Sequence, residues 1–440
     1  MSGSENPYSI DEFIERMASF EPFESNPKLA VAVSGGGDSM GLALLAFEWT
    51  KRCGGSMVAV TVDHGLRAES AIEALQVKNW LYNYSIPHIT LKWRGPYPSS
   101  GLQAAARRAR YQLMMDYCSQ NAILHLLVGH HKEDQAETVM IRHESKSGPH
   151  GLAAMASVRE LPEIRLLRPL LDVPQIRLIN TLTNIGQSWI KDPSNENVKM
   201  ARARLRLKGG LLTHREAIKI AGLHAKKRLN DENATSCLSA RALRFHPEGF
   251  ITLYRNVLRS EEIQIVERLL SRTIMAVAGR EYPPRRMKTR RLLNIIVSNN
   301  NFKGYTLGGC RLLTKKDLIY VFREESAVGP SMQLSEGVRI LWDDRFSVLL
   351  KKNLCIETKI ASLTSLGWNK LIKLDKKIKN NAMPYHAKTV LPAIWGDEDL
   401  IAVPHIGYYN PDFLDLSSGL EIKWMPRVSV GSARFGLRKF

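Results

Sequence analysis

Cysteine is scarce and scattered in this chain. Its 440 residues include five, Cys53, Cys118, Cys237, Cys310 and Cys355, with no C-x-x-C pair. An odd, widely spaced set argues against a disulfide framework, a zinc knuckle or an iron–sulfur centre. It predicts reduced, mostly buried thiols in a cytoplasmic protein. Long apolar runs are also missing, and none reaches the roughly 18 residues of a membrane span. No membrane is therefore expected as a partner. The opening MSGSENPYSIDEFIERM is polar and acidic, unlike a signal peptide. There is no internal repeat, no low-complexity segment and no H-E-x-x-H pattern. Acidic residues are in short supply: 43 Asp+Glu stand against 62 Lys+Arg, a formal charge of +19. That excess favours a polyanionic partner, nucleic acid first, because each neutralised phosphate releases counterions.

What is present is ordinary globular material, 44% hydrophobic and 24% charged. The length exceeds the ~250–300 residues at which one core usually divides, and predicts about three domains. From residue 28 to about 170 the pattern alternates between strand and helix. LAVAV and MVAVTV are continuous apolar runs, as strands covered on both faces require. Residues 88–93 read as a third strand and LHLLVGH as a fourth, and helices are predicted over 39–51, 69–84, 101–118 and from 132. Such alternation indicates a doubly wound parallel sheet. After about 170 the alternation fades. A basic tract holds Arg202, Arg204, Arg206, Lys226 and Lys227, and a second cluster holds Arg285 and Arg286. The expected division is 1–211 as a catalytic α/β domain, 212–328 as a mainly helical middle domain, and 329–440 as a small β-rich or α/β domain. Short runs such as VRILW, FSVLL and DLIAV suggest the strands of the last.

The strongest local signal is Ser34-Gly35-Gly36-Gly37-Asp38-Ser39, directly after the first strand and before a helix. Glycines there let backbone N–H groups turn toward an anion, and the helix N-terminus adds its partial positive charge. Ser34 and Ser39 can donate hydroxyls to phosphate. Asp38 would repel bare phosphate, so its expected task is to hold Mg²⁺. The loop lacks the lysine of a Walker A sequence and does not have G-x-G-x-x-G spacing. A plain structural turn is the alternative. The second strand ends at Asp63-His64, where a doubly wound sheet places its ligands; a helix-capping turn is the alternative there. Asp134 and Glu137 stand i,i+3 on one helix face past the fourth strand. They could orient an amine and help remove its proton, or simply favour the helix dipole. His130, His131 and Asp134 also invite a metal reading, but the spacing is not that of a zinc hydrolase.

These residues carry a resemblance. Ser34–Ser39 resembles the SGGxDS loop of the N-type ATP pyrophosphatases, and VDHGLR, AARRARY, GHHKEDQAET, DPSN, TLGGCRLL and LPAIW…IAVPHIGY resemble, in order, motifs of the tRNA(Ile)-lysidine synthetases. The likeness covers most of the chain. It implies a Rossmann-like PP-loop ATPase domain with ATP and Mg²⁺ as cofactors. It implies a ligase that adenylates C2 of the wobble cytidine in the CAU anticodon of an isoleucine tRNA, then joins free L-lysine to it. By that resemblance Ser34, Gly35, Gly36, Gly37, Asp38, Ser39, Asp63 and His64 bind ATP, and Asp38, Asp134 and Glu137 are catalytic. Asp134, Glu137, Asp192 and Arg202 bind lysine. Arg107, Arg110, Arg204, Arg206, Lys226, Lys227, Arg285 and Arg286 are the expected tRNA contacts. Trp342, Trp368, Trp395 and Trp424 are candidates for base stacking, against the commoner role of a core tryptophan. The sequence leaves room for a homodimer.

Two stretches depart from the family pattern. Ser145-Lys146-Ser147-Gly148 stands where the family carries R-G-S-G, and Arg202-Ala203 where it carries Arg-Asn. Two other readings share some of these features. Another PP-loop tRNA-modifying enzyme would share the loop, although a thiolase would need cysteines that are absent. A nucleotide-sensing RNA-binding protein would share the charge, but has no need of Asp38, Asp134 and Glu137 together.

Overall fold

The computed structural model describes residues 6–66, 69–161, 163–190, 211–298, 302, 304–352, 356–397 and 399–431. The described residues divide into two compact units, one up to 232 and one from 233 onward.

The first unit is built on six strands: β1 (Lys28–Ala32), β2 (Ser56–Asp63), β3 (His88–Lys92), β4 (His125–Val128), β5 (Val158–Glu160) and β6 (Arg165–Leu167). They lie in the order β3-β2-β1-β4-β6-β5. All pairings are parallel except β5 with β6 at the edge. The apolar runs bury both faces, as the sequence predicts. Leu29, Val31 and Val33 enter one core, while Ala30 and Ala32 enter the other, following the two-residue period of a strand. Helices α1 (Ile10–Ala18), α2 (Gly37–Arg52), α3 (Ser70–Asn83) and α7 (Gln175–Asn184) supply Phe13, Met40, Leu81 and Leu178 to the first core. Helix α4 (Leu102–Gln120) supplies Met114 and Cys118 to the second. Helices α5 (Lys132–Glu144) and α6 (Pro149–Leu152) follow β4. A Ser9–Glu12 capping box starts α1, and Arg177 of α7 grips Glu12 at 2.8 Å.

Helix α8 (His214–Ala242) begins in the first unit and ends in the second. Strands β7 (Leu243–His246), β8 (Phe250–Tyr254), β9 (Tyr305–Leu307), β10 (Cys310–Lys315) and β11 (Leu318–Arg323) form an antiparallel sheet in the order β7-β8-β11-β10-β9. Helices α9 (Arg255–Arg259), α10 (Ile263–Ala278) and α11 (Arg286–Val297) accompany it, and Leu269, Ile274 and Leu293 meet Ile251, Leu312 and Val321 in one core. The middle region is thus helical with a sheet beside the helices, and TLGGCRLL is its β9–β10 hairpin. Beyond it come β12 (Met332–Gln333), β13 (Arg339–Trp342), β14 (Phe346–Leu350), β15 (Lys359–Ser362), β16 (Pro392–Trp395), β17 (Leu400–Val403), β18 (Tyr408–Tyr409) and β19 (Leu420–Trp424). They form two antiparallel sheets, β12-β15-β16-β17-β18 and β13-β14-β19. Trp342 and Trp368 are core residues, 0% and 5% exposed. Of the four described cysteines, all free, Cys118 and Cys310 are buried and Cys53 and Cys237 exposed. Burial pushes the Cys118 thiol up to about 11 and Cys310 to about 12. Among the described residues, no helix is long and apolar enough to cross a membrane.

Candidate active site

Strands β1 and β4 are neighbours, but the chain leaves them in opposite directions: β2 and β3 lie beyond β1, β6 and β5 beyond β4. Such a switch point opens a crevice at the carboxyl ends of the strands. The turn after β1 is Ser34–Ser39. Gly35 has φ +89°, a conformation that favours glycine. Gly36 is the N-cap of α2 and makes no side-chain cap bond, so the first turn of N–H groups opens on the crevice without a side-chain cap. The serine hydroxyls brace the loop. Ser39 Oγ donates to the Gly36 carbonyl at 2.9 Å and accepts from the Ser34 N–H at 3.1 Å. Ile190 N–H donates to the Gly35 carbonyl at 2.9 Å. A methyl group on Gly35 would sit 2.5 Å from Ile190 Cδ1, and one on Gly37 2.6 Å from Ile179 Cδ1.

The turn after β4 comes close to this loop because Gly129 has no side chain: a methyl there would lie 3.1 Å from the Asp38 carbonyl oxygen. Beyond it, His131 is the N-cap of α5, and its N–H donates to Asp134 Oδ2 at 3.1 Å. The imidazole joins the two turns. Its Nε2 is 3.5 Å from Asp38 Oδ2 and 3.5 Å from Asp134 Oδ2. Its Nδ1 donates to Glu133 Oε2 at 2.9 Å. A third element completes the arrangement. Gln175, opening α7 after β6, donates from Nε2 to both Asp38 oxygens at 3.1 and 3.0 Å, and from its N–H to Glu133 at 3.0 Å.

The electrostatics follow from this packing. Burial pushes the Asp38 pKa up and nearby Asp134 adds to the rise, against the lowering effect of His131 and Gln175. Burial alone would disfavour a charged His131, but the Glu133 hydrogen bond and the Asp134 and Asp38 carboxylates outweigh it, so its pKa is raised. Burial likewise opposes the Glu133 carboxylate, yet His131 and the Gln175 N–H hold its pKa low.

The other expected residues are distributed as follows. Asp134 and Glu137 share a face of α5 and are 7% and 3% exposed. Asp63 Oδ1 accepts from the Gly65 N–H at 2.9 Å and from Ser70 Oγ at 2.7 Å, so this carboxylate braces the turn after β2. His64 beside it is half-buried, its ring edge-on to Trp93 at 6.2 Å. Burial and the charge of Arg110 lower its pKa. Arg107 is exposed over the Tyr111 ring at 5.3 Å, while Arg110 is half-buried. Lys226 and Lys227 are exposed on α8. Arg285 is the exposed N-cap of α11, and Arg286 Nε bonds Glu267 at 2.9 Å. Asp192, Arg202, Arg204 and Arg206 lie outside the described residues. In the segment that departs from the family pattern, Lys146 has φ +52° at the end of α5. Arg142 donates to the Gly151 and Ala154 carbonyls at 2.6 and 3.1 Å and so closes the turn that follows. Glu133 and Gln175 were not expected at the site. Gln175 had one available signal, its place at a helix start just past a strand of the same sheet.

A glycine turn at a strand–helix junction, with acidic side chains at the adjoining switch point, defines a nucleotide-binding α/β domain. The model of the PP-loop domain family matches residues 7–209. Along most of its length the chain is similar to two bacterial proteins named tRNA(Ile)-lysidine synthase. That of Orientia tsutsugamushi is 31% identical, covering 90% of this chain and 93% of the relative. That of Ruegeria pomeroyi is 34% identical, covering 91% and 94%. Among solved structures, a U34-tRNA thiolase from Methanococcus maripaludis aligns at 16% identity and TM-score 0.41, covering 49% of this chain and 78% of that one. The chain belongs to the tRNA(Ile)-lysidine synthase family.

Proposed function

We propose that this enzyme uses ATP to join the ε-amine of lysine to C2 of the wobble cytidine of an isoleucine tRNA with a CAU anticodon. The C2 oxygen attacks the α-phosphorus of ATP and pyrophosphate leaves. The lysine amine then attacks C2, AMP leaves, and the amine loses a proton. The observation that carries this reading is the convergence of Asp38 and Asp134 on one imidazole, beside a glycine turn at the switch point. A polyphosphate fits the N-terminus of α2, with Ser34 as a hydroxyl donor and Ser39, whose hydroxyl donates to the Gly36 carbonyl, shaping the loop.

The donor set also fits Mg²⁺. This ion takes one or two carboxylates together with substrate phosphates rather than a dedicated protein cage. Among the described residues there is no three-ligand metal cluster, and Asp38 is a half-buried carboxylate that shares the His131 imidazole with Asp134. Asp38 is the residue that would hold the ion, which when bound neutralises charge on the leaving pyrophosphate. Gln175 keeps the Asp38 carboxylate aimed. Asp134 and Glu137 orient the lysine ammonium and help take its proton; Asp192 and Arg202 are assigned to its α-ammonium and carboxylate. Asp63 and His64 border the nucleotide. Arg107, Arg110, Arg204, Arg206, Lys226, Lys227, Arg285 and Arg286 neutralise tRNA phosphates. The working domain bounds remain 1–211, 212–328 and 329–440. These substrates imply a cytoplasmic enzyme, and light scattering reads whether it acts as a homodimer.

The test is pyrophosphate release from ATP with Mg²⁺ and the CAU tRNA, with and without lysine, followed by mass analysis of the wobble nucleoside. A lysine-sized mass gain that Asp38→Ala abolishes supports the reading. Release without the gain assigns another nucleophile, and no release on any tRNA returns the chain to a binding role.

A further inference from the structure

Six cations and one acid stand in the twelve residues from Arg280 to Arg291. Two of the cations have a partner: Arg286 and Arg290 share Glu267, at 2.9 and 3.3 Å. Arg280, Arg285, Lys288 and Arg291 are exposed and make no ion pair among the described residues. Their placement works against the helix they open. Arg285 is the N-cap of α11, Arg286 and Lys288 follow in its first turn, no acid joins them there, and no side chain caps it. That end of a helix favours acids and disfavours cations. The stability of the protein alone therefore does not account for the cluster, and a polyanion would balance it.

An open aromatic face stands in the same turn. Tyr282, between α10 and α11, is 75% exposed, and Met287 is 80% exposed. The Tyr282 side chain makes no hydrogen bond or ring contact among the described residues. The turn that carries it is stiff. Pro283 and Pro284 each fix a backbone torsion. Pro284 also packs on the β9–β10 hairpin, where a methyl on Gly308 would lie 3.7 Å from its ring. A ring held on a stiff turn loses little freedom when a flat group stacks on it. Exposure alone does not mark such a place: Tyr82 is 81% exposed, but its helix carries a single lysine. The cations around Tyr282 make the difference.

We propose that this turn holds an unpaired stretch of the tRNA substrate, with one base stacked on Tyr282 and the flanking phosphates on Arg280, Arg285 and Lys288. The proposal rests on the tRNA reading above and adds a base contact to it. A solvent-open aromatic face among unpaired cations is how single strands are gripped. A paired stem keeps its bases stacked on one another and offers such a ring only backbone.

The experiment uses the full chain and two probes: a CAU isoleucine tRNA transcript, and a fully paired RNA duplex with blunt ends. Binding is followed by fluorescence anisotropy over a range of salt. Tyr282→Leu removes the aromatic face and Tyr282→Phe keeps it. Arg280→Ala combined with Lys288→Ala removes two cations. Each variant's melting curve is matched to the parent. The expected result for Tyr282→Leu is about tenfold weaker tRNA binding, the effect of one lost base–aromatic stack, with the parental salt slope. Tyr282→Phe is expected to bind as the parent does, and both tyrosine variants to bind the duplex equally well. The double variant should flatten the slope of log tRNA affinity against log salt by about one to two units. Parental tRNA affinity in folded Tyr282→Leu overturns the proposal, as does an equal loss in Tyr282→Phe or on the duplex. An unchanged slope in the double variant overturns its phosphate contacts. A parent chain that neither binds nor modifies the tRNA overturns the tRNA reading itself, a separate outcome. If Tyr282→Leu melts early, Tyr282→Ser decides in its place.

Discussion

Two aspartates, the half-buried Asp38 in the first unit and the buried side chain of Asp343 in the second, are handled in opposite ways. Asp38 faces a second carboxylate, with one imidazole and one amide for balance, and burial pushes its pKa up. Asp343 is clamped between the guanidiniums of Arg323 at 2.8 Å and Arg345 at 2.6 Å, and accepts the Gly329 N–H at 2.8 Å. Burial alone would raise its pKa too, but Arg323 and Arg345 pull it below the usual carboxylate value. The second arrangement is electrostatically complete and holds structure together. The first gathers two carboxylates on one imidazole, the kind of mutually perturbed group that marks a functional site.

The comparison can be broken by treating the two aspartates alike. Asp38→Asn should lower the rate of pyrophosphate release by about 10³-fold, while its melting temperature stays level or rises; a clear fall in melting temperature would make Asp38 a clamp like Asp343. Asp343→Asn should cost about 3–5 kcal/mol of unfolding free energy in urea, because two buried guanidiniums lose their counter-charge. Its folded fraction should keep the parental kcat, and a variant that unfolds like the parent would remove the contrast.

The pH dependence sharpens it further. Asp343 binds its proton less tightly folded than unfolded. Its stabilising share is therefore present above the ordinary aspartate pKa of about 4 and is lost as pH falls below it. Asp38 binds its proton more tightly folded, so its share falls as pH rises through the raised value. Melting curves of the parent and both asparagine variants between pH 3 and 8 would show the parent–Asp343→Asn gap closing on the acid side, and the Asp38→Asn gain appearing toward neutrality. Gln175→Ala should lower kcat about tenfold and raise the Mg²⁺ needed for half-maximal rate, with the ATP KM little changed; unaltered Mg²⁺ dependence would leave Gln175 no part in aiming Asp38. The smallest effect expected is for Lys226→Ala combined with Lys227→Ala. The slope of log affinity for tRNA against log salt should flatten by about one to two units, and an unchanged slope would remove α8 from the RNA surface.

The catalytic sheet was legible because its signals are short-range. Each apolar run is one strand, and the Ser34–Ser39 loop announces itself in six residues. The helix after it begins at Gly37, two residues before the predicted start, because the last glycine of the loop is already helical. The antiparallel sheet of the second unit was not legible beside the helices, since β8 finds β11 some sixty residues away, as in the Tyr254–Leu318 pair. The same limit hid Gln175, 137 positions from the carboxylate it holds. Glu133 drew no reading from the sequence, because only the ring orientation of His131 shows what it holds. Nothing in the spacing of Arg323, Asp343 and Arg345 marks them as one cluster, because a buried ion group depends on which strands meet.

Gly129 sets a mechanical condition on all of this. Where two turns touch backbone to backbone, no rotamer can take up slack between them, so the spacing of the nucleotide loop and the start of α5 is set by van der Waals contact of main-chain atoms. A single added methyl, Gly129→Ala, works as a wedge: it meets main-chain atoms of Asp38 and Ser39 that cannot swing aside. The close approach of these two turns is therefore a property of the main chain, which no change of side chain elsewhere in the site can imitate.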